Sequence, residues 1–321
     1  MPAQEQGLFY PDGSFKSRSE MFGDQDVVHF LTPSTRNARS FGKWTDIFTR
    51  RQEERKEAFG IPEHVEIAID TDEPILLVPF GDVHAGALET DYKRWAREVA
   101  LVAETPGAYA LSLGDMTDSF FWGGAAQDSD IGSYGEQNEY LRTGLMLLGE
   151  RSKLLAAWLG DHDGWVMNFG DTVYDDFIVA TKAYYLEGVS YISLKVGDIL
   201  YRISGAHRHN GFSIYNKAHP ALRLYRDSAE GSDIAITAHT HQKAHITQPV
   251  KTFGGEAFLG NFLAVGSYKS TDEYARKKGF SRQDYDQMGA QSILLWPDKK
   301  RVEVMWDVET GIHRLNQERG R

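Results

Sequence analysis

The chain has 321 residues, enough for one large domain or two modest ones with a sizeable core. Apolar residues make up 41% and charged residues 25%, which excludes a disordered or collagen-like chain. Lys and Arg number 35 against 46 Asp and Glu, a net charge of -11, so any contact with nucleic acid must be local rather than a matter of bulk electrostatics.

Residues 1–40 are polar and rich in turn formers, and read as a lightly structured arm that packs on something else. The stretch Phe41 to Phe59 sets Trp44, Ile47, Phe48 and Phe59 among charges and closes at Gly60-Ile61-Pro62, which predicts a helix with a solvated charged face. Residues 1–70 are therefore expected to be an N-terminal extension with one helix that packs on the core, and residues 71–321 a single domain.

From Pro74 the pattern changes to short apolar runs that end in a small residue and then polar ones. Ile75 to Phe80, Tyr109 to Leu113, Leu154 to Leu159, Ile199 to Ser204 and Ile234 to Thr237 read as strands. The segments Asp91 to Glu104, Glu136 to Arg151 and Asp171 to Ala183 between them have helical spacing. Phe262 to Val265, Ser292 to Trp296 and Val302 to Trp306 add three strand-like runs, with Pro297-Asp298-Lys299 as a hairpin turn. Alternating strands and helices predict an α/β layered fold, in which ligands gather outside the carboxyl ends of the strands.

At those ends the chain reads Asp82-Val83-His84, Gly114-Asp115, Gly160-Asp161-His162-Asp163, His207 and His239-Thr240-His241. Taken singly these are weak signals: D-x-H is common surface decoration, Gly-Asp is a common turn, and a lone His is usually a satisfied or exposed one. Together they put a large share of the 11 histidines and several carboxylates at one end of successive strands. With no Cys in the chain, His, Asp, Glu and Asn are the metal ligands left, and these are the types that divalent cations prefer.

In order and type the five clusters resemble the calcineurin-like metallophosphoesterases, whose pattern is D-x-H, G-D, G-N-H-[D/E], H and G-H-x-H. The match runs from Asp82 to His241, and HRHNGFSIYN around His207 is similar to the fourth motif of phage and prophage members. That likeness favours His207 over His209 as ligand and suggests a phage-derived gene. The resemblance implies an αββα sandwich of two mixed β-sheets flanked by helices. It implies two divalent metal ions, manganese first, with magnesium, zinc, iron(II) and nickel as alternatives. Asp82, His84, Asp115 and His241 would hold the first ion, and Asp115, Asp161, His207 and His239 the second, with Asp115 shared. Three carboxylates against four positive charges leave a site of about +1, which attracts phosphate and lowers the pKa of a metal-bridging water to give hydroxide. His162 would stand over the phosphate and protonate the leaving oxygen, with Asp163 holding its tautomer; the alternative is a His162 that caps a turn. Gly160 suits a sharp backbone turn at a strand end.

One departure is Asp161, which stands where the pattern has Asn. Its extra charge should hold the second metal more tightly and make its hydroxide less acidic. Purple acid phosphatases have D-x-G and a Tyr where this chain has His84 and Asp118, and protein Ser/Thr phosphatases flank the third motif with Arg and Glu where it has Leu159 and Asp163, so both subfamilies are disfavoured.

For substrate, Arg208, His209, Asn210 and Lys217 could meet a second phosphate or a base, or be bystanders. Phe120-Phe121-Trp122-Gly123-Gly124 could stack a nucleobase through Phe121 and Trp122, or form a lid. Tyr268-Lys269 and Arg276 to Arg282 are further basic candidates. The expected function is a dinuclear phosphodiesterase of nucleic acid or a nucleotide. The alternatives are a phosphomonoesterase and a non-catalytic scaffold that keeps the fold as a binding surface. No uninterrupted apolar run of roughly 18 residues occurs and the N-terminus shows no leader pattern, so a cytoplasmic protein without a membrane partner is expected.

Overall fold

The computed structural model describes residues 41–58, 63–119, 131–167, 181–251, 255, 257–271, 279 and 285–321. Two units divide the chain, Met1–Gly60 and Ile61–Arg321. In the first, helix α1 (Phe41–Ala58) forms where the spacing predicts it, with Trp44 and Phe48 one turn apart and their ring centroids 5.7 Å apart.

The second unit opens with β1 (His64–Ile69), β2 (Ile75–Phe80), α2 (Tyr92–Glu104) and β3 (Ala108–Ser112). Helix α3 (Tyr134–Gly149), β4 (Leu154–Trp158), α4 (Asp161–Met167), β5 (Tyr184–Leu186), β6 (Ser190–Val196) and β7 (Ile199–Ala206) follow. The chain ends through α5 (His219–Ser228), β8 (Ile234–Thr237), β9 (Ala244–Lys251), β10 (Ala257–Ala264), β11 (Ser292–Leu295), β12 (Val302–Met305) and α6 (Val308–Glu318). The expected helix Asp171 to Ala183 lies almost wholly outside the described residues, as do residues 1–40 and Phe120 to Gly124.

Two mixed six-stranded sheets result, one in the order β1-β6-β7-β8-β10-β9 and the other β12-β11-β2-β3-β4-β5. Leu77, Leu111 and Trp158 of the second sheet pack with Ile192, Leu194, Ile203 and Ile236 of the first in one buried cluster, so the sheets lie face to face. The outer face of the second sheet is covered by α2, α3 and α6 through Trp95, Leu145 and Val308, and that of the first by α5 through Ala221 and Leu224. The layers are thus αββα, as expected. All six side chains of β2 (ILLVPF) are buried, which is why so continuous an apolar run reads as a central strand.

The start of the unit differs from expectation. Residues 64–69 pair residue for residue with β6, in parallel, so the strand-bearing unit begins at Ile61 and not at residue 71. Only Val65 of β1 is fully buried, and an edge strand of this kind leaves little apolar signal in HVEIAI. At the far rim, away from the strand ends that carry the motifs, the buried hydroxyl of Tyr201 in β7 bonds to the backbone of Trp296, Lys299 and Arg301 at 2.9–3.1 Å, tying the first sheet to the β11–β12 turn of the second. No helix among the described residues is long and apolar enough to cross a membrane.

Candidate metal centre

Every described motif sits just past a strand. Asp82 and His84 follow β2, Asp115 follows β3, and Asp161 opens α4 after β4, all from the second sheet; His207 follows β7, and His239 and His241 follow β8, from the first. Among the described residues, eight non-glycine residues have positive φ, and five of them are Asp82, His84, Asp115, His239 and His241. Such conformations cost about 1–3 kcal/mol each and persist only where the surroundings impose them, typically at functional sites.

The side chains fall into three groups whose ligand atoms lie within 4.8 Å of one another: Asp82, His84 and His241; Asp115, His207 and His239; and His84, Asp118 and His162, which shares His84 with the first. Within the first, His84 Nε2 faces His241 Nε2 at 3.0 Å, and His241 Nε2 is 3.6 Å from Asp82 Oδ1. Within the second, His207 Nε2 is 3.0 Å from Asp115 Oδ2. Asp82 Oδ1 is buried without a hydrogen-bond partner, and His207 Nε2, also buried and without an aligned hydrogen bond, is paired in charge with the Asp115 carboxylate. A buried carboxylate oxygen such as Asp82 Oδ1 with no hydrogen bond is costly in a protein alone, and with the imidazole nitrogens gathered around it suits a divalent cation. Asp161 joins less closely: its carboxylate is 39% exposed, with Oδ2 3.4 Å from both His239 Nδ1 and Arg208 Nη1.

The ring nitrogens turned away from the first two groups are held. His207 Nδ1 donates to the carbonyl of Leu113 at 2.7 Å, and His84 Nδ1 to Asp118 Oδ1 at 2.9 Å, which leaves Nε2 of each as the coordinating nitrogen. Burial, aided by Lys269, lowers the His84 pKa to about 4; burial also lowers those of His241 and His239, so all three are neutral ligands near pH 7. Burial pushes the Asp82 carboxyl up to about 8. Burial opposes charge on His207, yet the carboxylates of Asp115 and Asp82 hold its imidazolium up to about 10.

Asp163 acts on the backbone, which corrects the expected tautomer-holding role. Its buried carboxylate accepts from the backbone nitrogens of Met116, Thr117 and Gly160 and from Thr117 Oγ1 at 3.2–3.3 Å, tying the second and third motifs together. The His162 Nδ1 hydrogen is directed instead at the carbonyl of Asp118, and the His162 backbone nitrogen donates to Asp115 Oδ1 at 2.8 Å. The His162 ring stands edge-on to that of His84 with centroids 4.7 Å apart. Gly160 also has a different reason from the one expected. Its φ is not left-handed; a Cβ there would overlap the backbone nitrogen of Asp115, and one on Gly114, whose φ is +87°, would overlap Gly160.

The sequence reading missed the role of Asp118 and misplaced Lys269. Asp118 Oδ1 accepts from both His84 Nδ1 and Lys269 Nζ, the latter at 2.8 Å, and Lys269 is buried rather than presented to a substrate. An acidic residue three positions after Asp115 is the one available signal. Arg208 is exposed beside Asp161, while His209 Nδ1 donates to its neighbour's carbonyl, Asn210 O, at 3.1 Å. Phe121 and Trp122 lie outside the described residues.

No family model and no curated protein matches the chain. Similar solved structures include Vps29 of Chaetomium thermophilum, 14% identical over 72% of this chain and 94% of that one, with a TM-score of 0.33. Nuclease MPE of Pseudomonas putida is another, 14% identical over 71% of this chain and 87% of that one, with a TM-score of 0.32.

Proposed function

We propose that this protein is a dinuclear, divalent-metal-dependent phosphodiesterase acting on nucleic acid or a nucleotide, with manganese as the activating ion. The observation that carries the reading is the pairing of two Asp/His groups at one end of the sandwich, each containing a buried ligand atom with no aligned hydrogen bond. Asp82, His84, Asp115 and His241 would hold one ion and Asp115, Asp161, His207 and His239 the other. When bound, such ions clamp phosphoryl oxygens and make a water nucleophilic near neutral pH.

The chain's own residues supply the rest. With its Nδ1 hydrogen directed at the Asp118 carbonyl, His162 has Nε2 as the nitrogen that exchanges a proton, which suits protonation of the leaving oxygen. Asp163 and Gly160 hold the second and third motif loops against each other and so fix His162 relative to Asp115. Arg208, exposed beside Asp161 at the outer edge of the second group, would meet a phosphate next to the one cleaved.

The test compares hydrolysis of bis-p-nitrophenyl phosphate with that of p-nitrophenyl phosphate by manganese-loaded protein, with His162→Ala as the control. Diester turnover that the variant loses supports the proposal. Monoester turnover alone would make it a phosphomonoesterase, and no turnover of either ester with any divalent metal would favour a binding scaffold.

A further inference from the structure

The segment between β7 and α5 starts at the candidate ligand His207 and carries exposed aromatic and apolar side chains on a braced loop. Phe212 is 68% exposed, Ile214 64% and Tyr215 94%. These side chains are not on a loose tail. His219 Nδ1 donates to the Gly211 carbonyl at 2.6 Å, the Asn216 nitrogen to Ser213 Oγ at 3.2 Å, and the Ala218 nitrogen to Asn216 Oδ1 at 3.0 Å. A fixed loop that displays rings to water gives up the burial that aromatic side chains ordinarily gain.

The charge around these rings is as specific as their exposure. The chain has 46 acidic residues in 321, yet none lies between His207 and Arg226. Arg208 Nη1 is 3.4 Å from Asp161 Oδ2 at one end of the loop, and Lys217 Nζ is 5.6 Å from the Phe212 ring centroid at the other. Cations interleaved with exposed rings match a strand of alternating phosphates and bases. Phe212 is five residues from His207, so its Cα lies within about 18 Å of that ligand's, a reach of a few nucleotides.

From this loop we infer that the protein binds single-stranded nucleic acid, with bases stacked on Phe212 and Tyr215 and phosphates met by Arg208 and Lys217. The inference rests on the phosphodiesterase reading, which it narrows from phosphodiesters in general to a strand whose base faces are open. A duplex keeps those faces inside its own stack, so it offers the rings nothing to stack on.

The experiment uses full-length, manganese-loaded protein and a fluorescent oligothymidylate with phosphorothioate linkages, beside a duplex of equal length, read by anisotropy. Bis-p-nitrophenyl phosphate turnover is measured on the same samples. The variants are Phe212→Ser/Tyr215→Ser, which removes both rings, and Tyr215→Phe, which keeps a ring. The wild type should bind the single strand more tightly than the duplex; the double variant should lose about tenfold or more in single-strand affinity, and Tyr215→Phe about threefold or less. Equal affinity for duplex, or an unchanged affinity in the double variant while the wild type turns over the small diester, overturns the inference and leaves the phosphodiesterase standing. Self-association that the double variant abolishes, with strand binding intact, also overturns it and assigns the rings to a second copy of the chain. If the wild type hydrolyses no ester, the phosphodiesterase reading itself fails, whatever the strand does.

Discussion

Lys269 Nζ lies 2.8 Å from Asp118 Oδ1, and both side chains are almost fully buried. The same oxygen accepts from His84 Nδ1; against burial, that hydrogen bond and then the ammonium hold the carboxylate below its usual range, and the carboxylate fixes the tautomer of a candidate ligand. Lys269→Met removes that ammonium. Manganese affinity, measured by titration calorimetry, is expected to fall about 10–100-fold, the usual cost of losing an outer partner of a metal ligand. An unchanged affinity in a folded variant would remove Lys269 from the metal centre.

Metal uptake should release protons. At pH 7 Asp82, with a pKa of about 8, and His207, with one of about 10, both hold a proton on an atom that a cation needs. Raising the pH removes those protons, so affinity rises with pH, by about tenfold per pH unit for each proton displaced. Calorimetry in buffers of different ionisation enthalpy counts the protons directly. No proton release between about pH 6 and 8 would argue against both residues as ligands.

Two glycine-to-alanine changes should move stability in opposite directions. Gly160→Ala places a Cβ on the backbone nitrogen and carboxylate of Asp115, and no flexible side chain is there to yield. A loss of about 3 kcal/mol or more in chemical denaturation is expected, with loss of metal binding. Gly135, in the first turn of α3, has nothing within 4 Å of its Cβ position, and Gly135→Ala should gain about 0.5–1 kcal/mol.

His162→Gln separates binding from turnover. The backbone nitrogen of residue 162 still donates to Asp115, so manganese affinity should stay within a few-fold, while diester turnover falls about 10²–10⁴-fold with loss of the proton donor. A parallel loss of both would make His162 a structural residue.

What the sequence discloses is set by how locally each feature is encoded. Ile75–Phe80 and Ile234–Thr237 form strands over the expected residues because unbroken apolar runs have one use in a two-sided buried sheet. The candidate ligands are legible because each lies within a few residues of such a run. His64–Ile69 is not, since an edge strand half open to water has no strong period. The partnership of Asp118 with Lys269 joins residues 151 positions apart, and nothing near either one announces it. Asp163 looks like a partner for the adjacent imidazole, but its carboxylate turns back to the start of its own helix and across to the neighbouring loop.

Asp82, His84, Asp115 and Asp161 leave the second sheet, whereas His207, His239 and His241 leave the first, so each proposed ion takes ligands from both layers. At the other rim Tyr201 joins the same two layers with hydrogen bonds of its own. The sandwich is therefore laced like a book: a permanent binding along the spine at Tyr201, and at the fore-edge a clasp of hydrogen bonds, His207 Nδ1 to the Leu113 carbonyl and the His239 nitrogen to Asp82 Oδ2, that the proposed cations would tighten. Metal availability would then set how firmly the two covers are held together as well as whether the site can work.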